Sequence, residues 1–171
     1  LTCGGFENDP QLKWDFLMPR GMRFQGSPSN TGDGVRMAAE AGASLWHMSA
    51  IASGGGVQVP GFEAAFSVSF MAPGFIYVDR HAHRFFEEIH LDLHQYWEVQ
   101  SEFDSGRFEH PRVPMYAIFD EEVRLRAPLV GSSSGYNAKA LGYQWSADNS
   151  EEISKGWIMK GESPKELAEM A

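Results

Sequence analysis

Residues 30–48 read NTGDGVRMAAEAGASLWHM: two glycines flank an aspartate ahead of a run of small apolar residues. A solvent-facing helix is better built from Leu, Lys and Glu, all of which cost less in helix propensity than Gly. The backbone here must therefore come close to something. Val35, Ala38, Ala39 and Gly42 recur at i, i+3, i+4 and i+7, one face of a helix. Thr31 or Asp33 can cap its start, where the helix dipole places a partial positive charge. Such an end attracts phosphate, but Asp33 opposes an anion that comes too near. The spacing Gly32-x-Gly34-x-x-Met37 also lacks the third glycine of the dinucleotide fingerprint. Two readings stay open, a capped helix packed on another element and a helix lining a ligand.

The chain has 171 residues, 43% apolar and 22% charged, the composition of one globular domain with a sizeable core. Fourteen basic residues against 23 acidic ones give a net charge of −9, with no basic run. Nucleic acid and anionic membrane surfaces are poor partners for such a chain. Cys3 stands alone, so neither an intrachain disulfide nor a Cys-based zinc ribbon can form. No apolar run reaches the roughly 20 residues of a membrane span, and no signal-peptide pattern opens the sequence. With the missing disulfides, this favours a cytoplasmic setting. The opening LTCGGF, with Leu1 in place of Met, reads like the end of a buried strand, so a piece of a longer chain is expected.

Asp9-Pro10 predicts the start of a short helix. Residues 20–34 are loop by composition, and ASGGGVQVPG is a mobile loop. Two strands split at Pro73-Gly74 are expected within residues 62–80, then a helix through RFFEEIHLDLHQYWEVQSEF. Met115 to Phe119 reads as a strand and the residues after Asp120 as a helix. Asp148 to Ser150 caps a helix EEISK that Gly156 ends in a left-handed conformation. Ser163, Pro164 and Glu166 fit N-cap, N1 and N3 of a last helix. Together these make one α+β unit, a small mixed sheet with packed helices.

Several residue types bear chemistry. Tyr136 sits in a Ser/Gly loop, GSSSGYN, of the kind that lines sites, and its hydroxyl could polarise a carbonyl; packing on Trp145 is the plain alternative. His90 and His94 share a helix face as zinc ligands can, with Glu87 or His83 as a third, but no Glu follows His90, and a polar wall or solvated face fits better than a metal. His90 also belongs to the residue type whose charge changes near neutrality. The acidic pairs Glu87-Glu88, Glu121-Glu122 and Glu151-Glu152 point about 100° apart on a helix, so they are expected as solvated faces and helix starts. Trp14, Trp46, Trp97, Trp145 and Trp157 are expected in the core, and Cys3 as a small buried residue.

GGFEND, NTGDGVRMAAEAGASLWHM, YVDRHAHRFFEE, IFDEEVR, DNSEEISKGWI and SPKELAEM, in that order, resemble the FAD-dependent fumarate reductase/succinate dehydrogenase flavoprotein superfamily, including its 3-ketosteroid dehydrogenase-like branch. The resemblance covers essentially all 171 residues. It implies a capping (substrate) domain over residues 7–171, flanked at 1–6 by a strand and turn of an FAD domain. The nucleotide-binding Gly-x-Gly-x-x-Gly half and the C-terminal segment that closes the flavin site are absent from the sequence. Gly4, Gly5 and Phe6 would then lie along the flavin cofactor, and Thr31, Gly32, Asp33 and Gly34 at the junction between the domains. Arg84, Phe85 and Glu88 match the family's Arg-Phe-x-Asn-Glu element, with Glu87 where Asn is usual and Ala82 where the preceding turn usually has Gly.

Fumarate reductases continue that element with an Arg-Asp pair whose Arg delivers a proton. Here His90-Leu91-Asp92-Leu93 stands instead, leaving His90 near the donor's place. Nor is there a His-Pro-Thr or Glu-x-x-Arg ahead of residues 75–78 to hold a dicarboxylate, which needs fixed cationic donors. The resemblance thus implies an FAD enzyme that reduces or dehydrogenates a carbon–carbon bond beside a carbonyl, on a neutral or weakly charged substrate rather than fumarate or succinate. Catalytic candidates are His90 and Tyr136; the partner is the missing FAD-binding domain, without which the piece is inactive. The alternatives are a free-standing ligand-binding or interaction module without flavin, and a zinc hydrolase on His90 and His94.

Overall fold

The computed structural model describes residues 1–52, 54–71, 73–85, 87–88, 95–131 and 141–171. Among these are six helices and a two-stranded antiparallel sheet, an α+β arrangement. Three helix starts follow from local chemistry. The Asp9 carboxylate accepts from Leu12 N at 2.7 Å to open α1 (Pro10–Phe16), with Pro10 in the first turn. Asp120 accepts from Val123 N at 2.9 Å to open α4 (Glu121–Arg126). Ser163 accepts from Glu166 N at 3.2 Å to open α6 (Pro164–Met170), while Glu166 accepts from Glu162 N at 2.8 Å. Each such cap is worth about 1 kcal/mol.

Strand β1 (Phe75–Val78) pairs with β2 (Tyr116–Phe119), Phe75 opposite Phe119 and Tyr77 opposite Ala117. A tight hairpin leaves β1: Val78 bridges Arg84, and the Asp79 carboxylate accepts from His81 N and His83 N at 2.8 and 2.9 Å. Ala82 turns that hairpin at φ +62°, in the left-handed region that favours glycine. Between the strands the chain also forms α3 (Tyr96–Gln100), and α5 (Ser150–Ser154) follows the long excursion after α4.

Two hydrophobic clusters hold these elements. Val59, Phe66, Leu129, Val130 and Trp145 form one, with Phe62, Tyr143 and Trp157 against it. Leu17, Met22, Phe24 and Trp97 form the other, joined by Phe6, Phe16, Ile51 and Val113.

Several expectations are corrected here. The sheet is antiparallel, and no strand precedes Pro73 among the described residues. Residues 57–70 thread the first cluster instead, with Val57 and Phe66 as one isolated bridge and Ser69 N donating to Leu129 O at 2.8 Å. Helix over 84–103 shrinks to α3 in its described part, where Arg84 is drawn back to bridge Val78. Trp14 and Trp46 are 56% and 79% exposed: Arg20 covers the first ring at 3.9 Å and His47 stacks on the second at 4.5 Å. Cys3 is exposed as well. Glu88 and Glu152 are buried rather than solvated, each because the protein supplies donors in place of water. Glu152 receives Tyr143 Oη at 2.6 Å and both Ser146 N and Ser146 Oγ, at 3.0 and 2.5 Å.

Candidate functional site

The glycine-rich stretch opens α2 (Asp33–Glu40), and it meets the chain's first residues. Gly32 N donates to Gly5 O at 3.0 Å, and Asn8 N to Asn30 O at 3.0 Å. The N-cap is Gly32 at φ +80°, and no side chain caps the helix. That corrects the expectation of a Thr31 or Asp33 cap: Thr31 Oγ1 lies 3.2 Å from Asp33 Oδ1, and Arg36 reaches back to Thr31 O and, at 2.8 Å, to Asp9 Oδ2. Gly42 falls beyond the helix, and its small face is exposed at Ala39. The close approach is at the start of α2, not along its side.

The glycines there have separate reasons. Gly32 is buried, and a Cβ on it would collide with Leu12 and come within 3.1 Å of Phe6 Cβ. A Cβ at Gly4 would strike the Asn30 amide, and one at Gly5 the Glu7 carboxylate. Gly34 differs: a Cβ would meet Cys3 Sγ at 3.5 Å and Leu1 Cβ at 3.9 Å, ordinary contacts. Nothing within the described chain requires glycine at position 34. Phe6 turns its ring inward, 6.0 Å edge-on from Phe16, so only its backbone faces the junction.

The second cluster separates this junction from a cleft of about 440 Å³ that Met22 and Val113 also line. Gly54, Gly55 and Gly56 form part of its wall, and Gly55 N donates to the buried Gln100 Oε1 at 2.8 Å. Tyr77 and Tyr96 meet there edge to face at 6.4 Å. The two hydroxyls hydrogen-bond to each other; burial first, then the Tyr96 phenol beside it and the nearby Glu88 carboxylate, push the Tyr77 phenol far above its usual range. Burial also raises Tyr96, partly offset by the bond with Tyr77. Arg23 and Arg112 line the cleft as well. These residues come from separate stretches and escaped the sequence reading. The usable signal was three consecutive glycines with a tyrosine inside an apolar strand.

Arg84 and Glu88 form a two-pronged pair, Nε to Oε1 at 3.1 Å and Nη2 to Oε2 at 2.5 Å, and Glu88 Oε1 also accepts from Tyr77 N at 2.9 Å. Burial alone would raise the Glu88 carboxyl, but the bonds from Arg84 and Tyr77 hold it below the usual range. Phe85 lies under the Arg112 guanidinium, 4.6 Å from ring centre. The motif thus braces the strand that presents Tyr77. His90 and Tyr136, with His94, lie outside the described residues. His83 pairs with Asp79 at 3.7 Å, and among the described residues no three His, Cys, Asp or Glu groups could hold a metal ion. Nor, among those residues, is any helix long and apolar enough to cross a membrane.

A model of the FAD binding domain family matches residues 1–155. The chain belongs to that FAD-binding family. It is similar to the crystal structure of 3-ketosteroid delta1-dehydrogenase from Sterolibacterium denitrificans in complex with 1,4-androstadiene-3,17-dione, with 27% identity and a TM-score of 0.59. The match covers 74% of this chain and 23% of that one, so the chain spans about a quarter of that dehydrogenase's length. No curated protein is matched. FAD is the cofactor that family membership brings, and the expected resemblance to flavoproteins with a 3-ketosteroid dehydrogenase-like branch holds.

Proposed function

We propose that this chain is the capping, substrate-facing part of an FAD-dependent oxidoreductase that reduces or dehydrogenates a carbon–carbon bond next to a carbonyl, with residues 1–6 belonging to the flanking FAD domain. The observation that carries the proposal is Gly34: in-chain contacts account for Gly4, Gly5 and Gly32 but leave Gly34 without a reason, at an uncapped helix start beside the chain's first residues. A cofactor approaching that backbone supplies the reason. The residues fit FAD: the bare backbone at Gly34 admits a flat ring or polyol, and the uncapped N–H groups at the start of α2 offer donors. The Asp33 carboxylate suits hydroxyls better than phosphate. The dehydrogenase of similar structure carries a dienone steroid, in keeping with a substrate whose reacting bond is conjugated to a ketone.

When bound, FAD supplies hydride acceptance or donation. This chain's part is to exclude water from the cleft and to present polar hydrogens to the substrate carbonyl. The Tyr77–Tyr96 pair lines the cleft and is the described counterpart of the hydroxyl expected from Tyr136; the Arg84–Glu88 brace keeps Tyr77 in place. In isolation the domain is expected to be inactive.

Gly34→Ala and Gly34→Val in the full-length protein test the assignment. The chain itself tolerates a Cβ at this position, so unfolding free energy should stay within about 0.5 kcal/mol. The FAD dissociation constant should rise by about tenfold or more for the valine variant, a loss of about 1.4 kcal/mol. Wild-type FAD affinity in a folded Gly34→Val protein would remove the cofactor from this junction.

A further inference from the structure

We infer that the ligand of the cleft is an apolar body carrying a single carboxylate, and that Arg23 is the residue that selects it; this rests on the reading that the cleft receives the substrate. Acidic residues outnumber basic ones 23 to 14 in this chain, yet the described residues that line the cleft include two arginines and no aspartate or glutamate. The local charge is thus opposite in sign to that of the whole molecule, and a concave wall concentrates that field.

The two arginines are not equivalent. Arg112 is already satisfied: its Nη2 lies 2.5 Å from Glu102 Oε2, its Nη1 donates to Val99 O at 2.7 Å, and it stacks on Phe85. Arg23 makes no ion pair with any described residue. Its backbone is fixed, since its carbonyl accepts from Gly56 N at 2.9 Å, while its side chain stays exposed. Its nearness helps to press the Lys13 ammonium below its usual range, after burial and against the pull of Asp9 and Glu7. One uncompensated guanidinium matches one carboxylate through two parallel hydrogen bonds. A dicarboxylate would need Arg112 to leave Glu102. The rest of the wall, Met22, Val68, Pro114 and Met115, is apolar and suits a ring system, and the volume lies in the range of small-molecule sites.

Isothermal titration of the full-length protein, purified with FAD supplied, with 2-naphthoate and with its neutral isostere 2-naphthamide reads the charge preference directly. The acid should bind about tenfold tighter or better. Arg23→Gln should bring the ratio to about one, Arg23→Lys should retain part of it, and Gln58→Glu, an exposed change at the cleft wall, should weaken the acid alone. Raising the salt should shrink the preference. Equal affinity for acid and amide, a preference that survives Arg23→Gln, or no binding of either compound would overturn the inference. The flavin absorbance of the same samples reports the functional reading separately: acid preference in a protein that never takes up FAD would keep Arg23 as an anion selector and sink the oxidoreductase.

Discussion

Replacing Asn149 with alanine should destabilise the chain by about 4 kcal/mol, through the most fully used side chain outside the candidate site. Asn149 is completely buried. Its Oδ1 accepts from Leu129 N at 2.8 Å and from Trp145 Nε1 at 2.7 Å; its Nδ2 donates to Arg124 O at 2.6 Å and to Ala127 O at 2.9 Å. One amide thereby ties the end of α4, the residues after it, the tryptophan of the first cluster and the start of α5. Truncation orphans two buried N–H donors at about 1–3 kcal/mol each, with smaller losses at the two carbonyls. The backbone adds to this. Asn149 sits at φ +59°, and alanine in the left-handed region costs about 1 kcal/mol that asparagine largely avoids. These contributions overlap, and about 4 kcal/mol is a large share of the roughly 5–15 kcal/mol that holds a domain folded.

Asn149→Gly separates the two effects, since it loses the same hydrogen bonds without the backbone strain. It should be about 1 kcal/mol more stable than Asn149→Ala. Urea unfolding followed by circular dichroism measures both, and the Trp145 indole N–H resonance should lose its protection from exchange. An alanine variant within 1 kcal/mol of wild type, or a glycine variant less stable than the alanine one, would refute the account.

Two further outcomes follow from buried or strained positions. Ala82→Gly should stabilise the chain by about 0.5 kcal/mol, because relief of the φ +62° strain exceeds the added unfolded-state entropy; a lower urea midpoint would contradict this. Burial alone would raise the Glu152 carboxyl, but bonds from Ser146 and Tyr143 hold it below the ordinary 4.5. A depressed carboxylate contributes stability that is fully present above that ordinary value and is lost as pH falls through the folded-state one. Glu152→Gln should therefore flatten the acid limb of the stability–pH curve below about 4.5, and an unchanged limb would place the linkage elsewhere.

What could be read from the sequence was what local chemistry decides. Asp9, Asp120 and Ser163 each cap a helix whose first turn is within three residues, so α1, α4 and α6 fall where their caps put them. Burial is decided by distant residues, and there the pattern misled. Glu152 looks like half of a solvated acidic pair until Tyr143 and Ser146 surround it. Trp14 and Trp46 look like core until the fold leaves them exposed, beside Arg20 and His47. The cleft failed to register for the same reason. Arg23, Gly54–Gly56, Tyr77 and Arg112 lie far apart in the chain, and no spacing rule joins them.

The glycines show how composition and geometry divide the work. Small residues at the start of α2 announce a close approach but do not say of what. At Gly32 the answer lies inside the chain, in Leu12 and Phe6; at Gly4 and Gly5 it lies with Asn30 and Glu7. Subtracting the contacts that the fold itself explains leaves Gly34 as the position whose residue type is unaccounted for. The same subtraction applied to charge removes Arg112, which Glu102 neutralises, and leaves Arg23. Both remainders carry a proposal, one of a cofactor at the junction and one of an anion in the cleft, and one packed cluster holds Phe6 together with Met22 and Val113 of the cleft wall.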